Sequence, residues 1–181
     1  MASKSFPFNK EKALNAVLYI AKRLNRSDFH KIFKILYFSD RTYIADYGMP
    51  ITGDRYIAMD AGPVPSKIYD IFKIVRGDSY MTDEEGFGDL FSVEDWMYIK
   101  AKKDADLNKL SPNEKEVIDN CIKQYGDLSY DEIKEKSHDI AWRSTARDFE
   151  IDLYQIAREV GINDDEFGYI DEVRGIENAL C

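Results

Sequence analysis

TGDRYIAMDAGPVPSKIYDIF, residues 52–72, is the stretch that most constrains the fold. Its first three residues, Thr52 to Asp54, predict a turn, because glycine and short polar side chains favour turn conformations. Residues 55–59 then predict a short extended run. Prolines disfavour helical angles in the residue before them, so 61–65 cannot be regular helix. Pro65 suits the first turn of a helix that we expect to end near Arg76.

Two helices are predicted before this stretch. Apolar residues between Lys10 and Leu24 recur at helical spacing. Ser27 is expected to cap a second helix from Asp28 to about Tyr47, whose wide apolar surface is typical of a central core helix. Residues 1–8 lack such a pattern and are expected to be flexible, so the folded domain is predicted over residues 9–181.

After this stretch the pattern alternates between turns, strands and short helices. Residues 77–89 predict a loop, and two extended runs within 90–102 predict a hairpin. Serine caps followed by glutamate predict helix starts at Ser111 and Ser129. Residues 137–142 predict a loop that leads into another short element, residues 153–160 predict a helix, and a last helix is expected from Asn163 toward Leu180. The predicted class is α+β, a mostly helical single domain with short strands around 54–60 and 90–102.

Charge is distributed unevenly over a chain with a net charge of −9. Residues 1–80 carry 13 Lys/Arg and 8 Asp/Glu, which gives +5, whereas residues 81–181 carry 12 and 26, which gives −14. Such asymmetry favours steering of a charged partner. It also argues against nucleic acid lying on the acidic half. A DNA-binding autoregulator stays an alternative through a basic group before the central stretch: Lys22, Arg23, Arg26, Lys31 and Lys34.

Motifs for catalysis or for a cofactor are not found in the sequence. Phosphate-binding glycine loops, nucleophile motifs and clustered metal ligands are all missing, so no metal or cofactor is predicted. The alternative is a metal-dependent hydrolase that uses His138 and Asp139. The competing interpretation is that His138 forms a local hydrogen bond at a helix start while Trp142 fills the core.

The expected compartment is the cytoplasm, with no membrane association. The two cysteines are 60 positions apart and form no pairing motif, which is typical of a reducing environment. No apolar run approaches the ~20 residues that a membrane-spanning helix needs.

Three segments together carry a family resemblance. They are KILYFSD at 34–40, the stretch from Gly48 through Asp70, and SHDIAW at 137–142. The chain resembles the Panacea domain, the SocA-like antitoxin family of bacteria and phages. The residues of the shared motif that are expected to be structural are Thr52, Gly53, Asp54, Gly62, Pro63, Val64, Pro65, Tyr69, His138 and Trp142.

The resemblance implies an antitoxin that is not an enzyme and that neutralises a cognate toxin by direct binding. The toxin is expected to be encoded by an adjacent gene, and some members of the family resemble adaptors that deliver a toxin to a cytosolic protease. No catalytic residues are carried over from the family.

Seven residues around the second helix and the following strand are candidate toxin contacts. For Arg55 an internal pair with Asp40 or Asp54 is the favoured alternative to a partner carboxylate. The full candidate set is Lys34, Tyr37, Asp40, Tyr43, Arg55, Tyr56 and Asp60.

Overall fold

The structure, a computed structural model, describes residues 6–169 and Glu172. Helix α1, Lys10–Ala21, begins after Asn9, whose side chain accepts a hydrogen bond from the Lys12 amide. Of the segment 1–8 predicted to be flexible, residues 1–5 lie outside the described part. Phe6 is buried and packs against Phe167 with ring centroids 5.7 Å apart, so packing extends into that segment.

Helix α2, Phe29–Tyr47, is the centre of the core, as its wide apolar surface predicted. Its cap is Asp28, which accepts from the Lys31 amide, and not Ser27 as the sequence suggested. The Ser27 hydroxyl instead donates to the Ile99 carbonyl at 2.6 Å. Every residue from 30 to 40 is buried. Because neighbouring elements pack around α2 on all sides of this segment, even its polar positions lie inside.

A hairpin follows α2 within the stretch that most constrains the fold. Strand β1, Tyr56–Met59, pairs antiparallel with β2, Gly62–Pro65. The non-helical segment predicted at 61–65 is therefore mostly a strand. Its prolines are tolerated because α2 packs against β2 and no further strand of the described residues pairs with it. Helix α3, Ser66–Arg76, ends near Arg76 as predicted, with Gly77 in a left-handed conformation. Pro65 was expected in its first turn but is the last residue of β2 and precedes the helix.

The outer edge of β1 is covered by a distant part of the chain. The Ala58 amide donates to the Phe149 carbonyl at 2.9 Å, and the Ile151 amide donates to the Tyr56 carbonyl at 2.8 Å. This pairing hides an edge that would otherwise expose unpaired backbone groups.

The predicted second hairpin is confirmed. Strand β3, Phe91–Glu94, pairs with β4, Tyr98–Ala101. Asp95 and Trp96 in the connecting turn have φ angles of 48° and 65°. Residues 27–29 cover the outer edge of β4, with the Phe29 amide donating to the Met97 carbonyl at 2.8 Å.

The C-terminal half supplies further helices and confirms the mostly helical α+β class. They are α4 Pro112–Tyr125, α5 Tyr130–Ser137, α6 Ile140–Arg143 and α7 Leu153–Glu159. Ser111 and Ser129 form the capping boxes that their sequences predicted. Asn163 also caps helical residues, by accepting from the Glu166 amide, but the predicted continuation toward Leu180 lies mostly outside the described residues. No described helix combines the length and apolarity that a membrane span requires.

Candidate functional site

A buried carboxylate on α2 organises the turn before β1. Asp40 accepts hydrogen bonds from the Ile51 amide at 2.7 Å, the Thr52 amide at 3.0 Å and the Thr52 hydroxyl at 2.7 Å. The Tyr56 hydroxyl donates to it at 2.8 Å. Burial raises the pKa of Asp40, and these bonds oppose that rise by stabilising the carboxylate. Asp40 therefore anchors the turn to α2.

Asp54 caps α3 from the same turn. Its carboxylate accepts from the amides of Arg55 at 2.8 Å, Lys67 at 3.0 Å and Ile68 at 2.9 Å. Pro65 precedes the helix and supplies no capping side chain, so Asp54 satisfies first-turn amides from a distance. Burial raises the pKa of Asp54 to about 6.

Lys34 holds the β1–β2 hairpin to α2. Its side chain is fully buried and its Nζ donates to the Pro63 carbonyl at 2.8 Å. Burial lowers the pKa of Lys34 to about 7. Gly62 lies close by with φ at 98°, and a Cβ there would stand 2.3 Å from Ser137 Oγ and 2.9 Å from Lys34 Cε. Glycine is required at position 62 because the backbone has a positive φ and because a Cβ would clash with both neighbouring side chains.

The cluster around His138 joins α6 to α2 and to β1. The Tyr37 hydroxyl donates to Asp139 at 2.7 Å, and Asp139 also caps α6 by accepting from the Trp142 amide at 3.0 Å. Trp142 Nε1 donates to the Met59 carbonyl at 3.0 Å, and its ring stacks on His138 at 3.6 Å. Both carboxylate oxygens of Asp139 therefore accept hydrogen bonds from groups of the same chain. Among residues 6–169 and Glu172, no group of three His, Cys, Asp or Glu side chains is arranged to hold a metal ion.

Five of the seven candidate contacts are placed inside the protein, which corrects the expectation that they face outward. Each is buried by the packing of the hairpin and the surrounding helices on α2. These five are Lys34, Tyr37, Asp40, Tyr43 and Tyr56.

The other two candidates, Arg55 and Asp60, are exposed at opposite ends of β1. Arg55 pairs with Glu150 at 3.2 Å, so the internal pair predicted for it exists with a different acid from Asp40 or Asp54. Asp60 pairs with Arg147 at 3.0 Å.

The basic group expected before the central stretch does not form one surface. Lys34 is buried, and Lys31 is also buried with its Nζ donating to the Gly126 carbonyl at 2.7 Å. Lys22 pairs with Asp104, and Arg23 pairs with Asp119 at 3.5 Å. The structure therefore gives the DNA-binding alternative no concentrated positive patch in this region.

A cleft of about 610 Å³ is open beside these elements. It lies where the start of α2, the β3–β4 turn and the start of α5 meet. No local sequence pattern marks this cleft, because its lining comes from separated segments of the chain. The residues that line the cleft are Arg26, Asp28, Phe29, His30, Lys31, Ala61, Met97, Asp127, Leu128, Ser129 and Tyr130.

These features describe a mostly helical protein in which Asp40, Asp54 and Lys34 bind groups of the same chain. The family model described as "Antitoxin SocA-like, Panacea domain" matches residues 32–143, more than half of the chain. The chain therefore belongs to the SocA-like, Panacea-domain antitoxin family, as the sequence resemblance indicated. No curated protein and no solved structure matches the chain.

Proposed function

We propose that this protein is an antitoxin that neutralises a cognate toxin by direct protein–protein binding. The observation that carries the proposal is the family match over residues 32–143. We further propose that the toxin is encoded by an adjacent gene and is bound in the cytoplasm, where both chains are made. Neutralisation by binding needs no chemistry from the antitoxin, so the proposed role is non-enzymatic and uses no cofactor.

The placement of the motif residues supports this role. Asp40, Asp54 and Lys34 direct their polar atoms at backbone groups of the same chain. They stabilise the scaffold and leave the exposed surface free to differ between partners. A scaffold of this kind suits a family whose members bind unrelated toxins, because surface positions can change without loss of the core network.

Arg55 and Asp60 are proposed as charged contacts at the rim of the toxin interface. In the free chain each has an exposed ion-pair partner, Glu150 and Arg147. Exposed pairs contribute little to stability, so either side chain can exchange its partner for a toxin group at small cost. Delivery of the bound toxin to a cytosolic protease is a further proposal that rests on the family resemblance.

Co-expression with the adjacent-gene protein tests the function. That protein is expressed alone, together with this chain, and together with an Asp40→Ala variant that lacks the buried acceptor. Growth arrest by the neighbour alone and rescue by the wild-type chain are expected, together with a complex that survives gel filtration. A harmless neighbour, or persistent toxicity beside a soluble folded wild-type chain, would reject the antitoxin role.

The half-life of the adjacent-gene protein in cells distinguishes delivery to a protease from direct neutralisation. Direct neutralisation predicts rescue with an unchanged amount of toxin. An adaptor predicts faster loss of the toxin that depends on both this chain and the protease.

A further inference from the structure

The cleft at the start of α2 has apolar walls with exposed rims. Phe29, Leu128 and Ala61 form part of the wall, and Met97 and Tyr130 extend it to the surface. Met97 is 42% exposed and Tyr130 is 52% exposed. A volume of about 610 Å³ is within the range of pockets that enclose a bound group.

Most charged groups in the cleft are already matched within the protein. Arg26 lies 3.9 Å from Asp28 and donates to the Tyr98 hydroxyl at 2.5 Å. Asp28 also caps α2, and Lys31 is bound to the Gly126 carbonyl. Asp127 is exposed at the rim. The inner walls thus offer a new ligand mainly apolar contact.

His30 adds no positive charge to the cleft near neutral pH. Its ring stacks on Tyr130 with centroids 4.0 Å apart, and Nε2 lies 3.2 Å from the Ala61 carbonyl. Burial, with Lys34 nearby, lowers the pKa of His30 to about 4. A neutral imidazole in this position extends the aromatic wall that Tyr130 begins.

Trp96 directly precedes Met97, which lines the cleft, and lies in a strained turn. It is 68% exposed, and its φ of 65° is unusual for a bulky residue. Arg76 fixes this arrangement, because its Nη1 donates to the Trp96 carbonyl at 2.9 Å and its guanidinium lies 5.8 Å from the indole. Glycine would suit such a turn better. An exposed tryptophan held where glycine is favoured indicates a role outside the stability of the free chain.

We propose that this cleft, together with the exposed Trp96 that precedes its lining residue Met97, binds an uncharged apolar segment of the cognate toxin. The inference rests on the proposed antitoxin function and names the surface and the partner chemistry. Tryptophan and tyrosine are among the residue types that most often dominate binding energy in protein interfaces. The matched charges of the wall favour an uncharged side chain over a charged one, which would lose water without gaining a counter-charge.

Two variants separate binding from folding. Trp96→Gly removes the indole and relieves the turn, so its midpoint of thermal unfolding should stay or rise while affinity for the adjacent-gene protein falls at least about tenfold. Met97→Glu places a charge on the apolar wall and leaves the backbone hydrogen bonds of Met97 intact. Its affinity for the adjacent-gene protein should fall by a similar factor. Leu107→Glu, at an exposed leucine outside the cleft lining, is the matched control and should bind like wild type.

The experiment is calorimetric titration of the purified adjacent-gene protein into each folded variant, with Arg55→Glu as a comparison. Equal affinities for wild type, Trp96→Gly and Met97→Glu would overturn the cleft proposal while the antitoxin function stands. Failure of the wild-type chain to bind would reject both the cleft proposal and the antitoxin function. A homodimer in sedimentation that Trp96→Gly and Met97→Glu dissociate would overturn the proposal by assigning the cleft to a second copy of the chain.

Discussion

The Tyr56 hydroxyl on β1 donates to the Asp40 carboxylate on α2 at 2.8 Å, and both groups are buried. This bond joins the central helix to the first hairpin inside the protein. Asp40 also holds the backbone at Ile51 and Thr52, so one carboxylate fixes both the turn and the strand that follows it. One acceptor on α2 therefore holds the beginning of the stretch that most constrains the fold, and Lys34 on the same helix holds its second strand at Pro63.

Replacement of Asp40 by alanine should lower the free energy of unfolding by about 3 kcal/mol or more, because buried donors lose their acceptor. Urea denaturation followed by circular dichroism measures the change. Asp46→Ala is the control, since Asp46 is exposed on the same helix and should change stability by only about 0.5 kcal/mol. Equal losses in the two variants would contradict the anchoring role of Asp40.

Gly62→Ala and Gly77→Ala form a matched pair. Both glycines have positive φ, 98° and 85°, but a Cβ at Gly77 meets nothing within 4 Å. Gly77→Ala should therefore cost only the conformational penalty of about 1–2 kcal/mol. Gly62→Ala adds the clash with Ser137 and Lys34 and should cost clearly more. Thermal and urea melts of both variants measure the difference, and indistinguishable losses would show that the hairpin can shift to accommodate a methyl group.

Local signals in the sequence predicted most of the elements. Ser111 and Ser129, each followed three residues later by glutamate, marked helix starts that the structure contains. Gly77 marked the end of α3. Such signals succeed because a cap or a left-handed glycine acts on backbone groups a few residues away.

The partners of polar residues could not be predicted in the same way. Lysine and aspartate are usually exposed, so Lys34 and Asp40 were expected at the surface. Their burial depends on a hairpin that folds back over α2. Likewise, Arg55 pairs with Glu150, which lies 95 positions away. The cleft is also assembled from four separated segments, and no single local pattern specifies it.

His138→Gln should leave neutralisation intact. The imidazole stacks on Trp142, and no described residue gives its buried Nε2 a hydrogen-bond partner. Loss of the stack should lower the free energy of unfolding by about 1 kcal/mol. Growth rescue by the variant, beside a melt that shows it folded at the assay temperature, is the measurement. A folded variant without neutralising activity would support the alternative that His138 and Asp139 act in a hydrolase.

The buried amine of Lys34 should make stability depend on pH above neutrality. Its folded-state pKa of about 7 is below that of an unfolded lysine, near 10.4. Between these values the unfolded chain binds more protons than the folded chain, so Lys34 makes stability rise with pH and lowers it as pH falls toward 7.

Lys34→Met removes this titration while keeping an unbranched side chain. The free energy of unfolding of wild type relative to Lys34→Met should rise between pH 7.5 and 9.5, with a slope of up to about 1.4 kcal/mol per pH unit for one proton. Urea melts at four pH values measure the slope, and the difference between the two proteins cancels other titrating groups. A flat difference would mean that Lys34 stays charged in the folded protein. The Pro63 carbonyl would then be its sole hydrogen-bond acceptor among the described residues, and an ammonium held in the core by one carbonyl would need water to reach it.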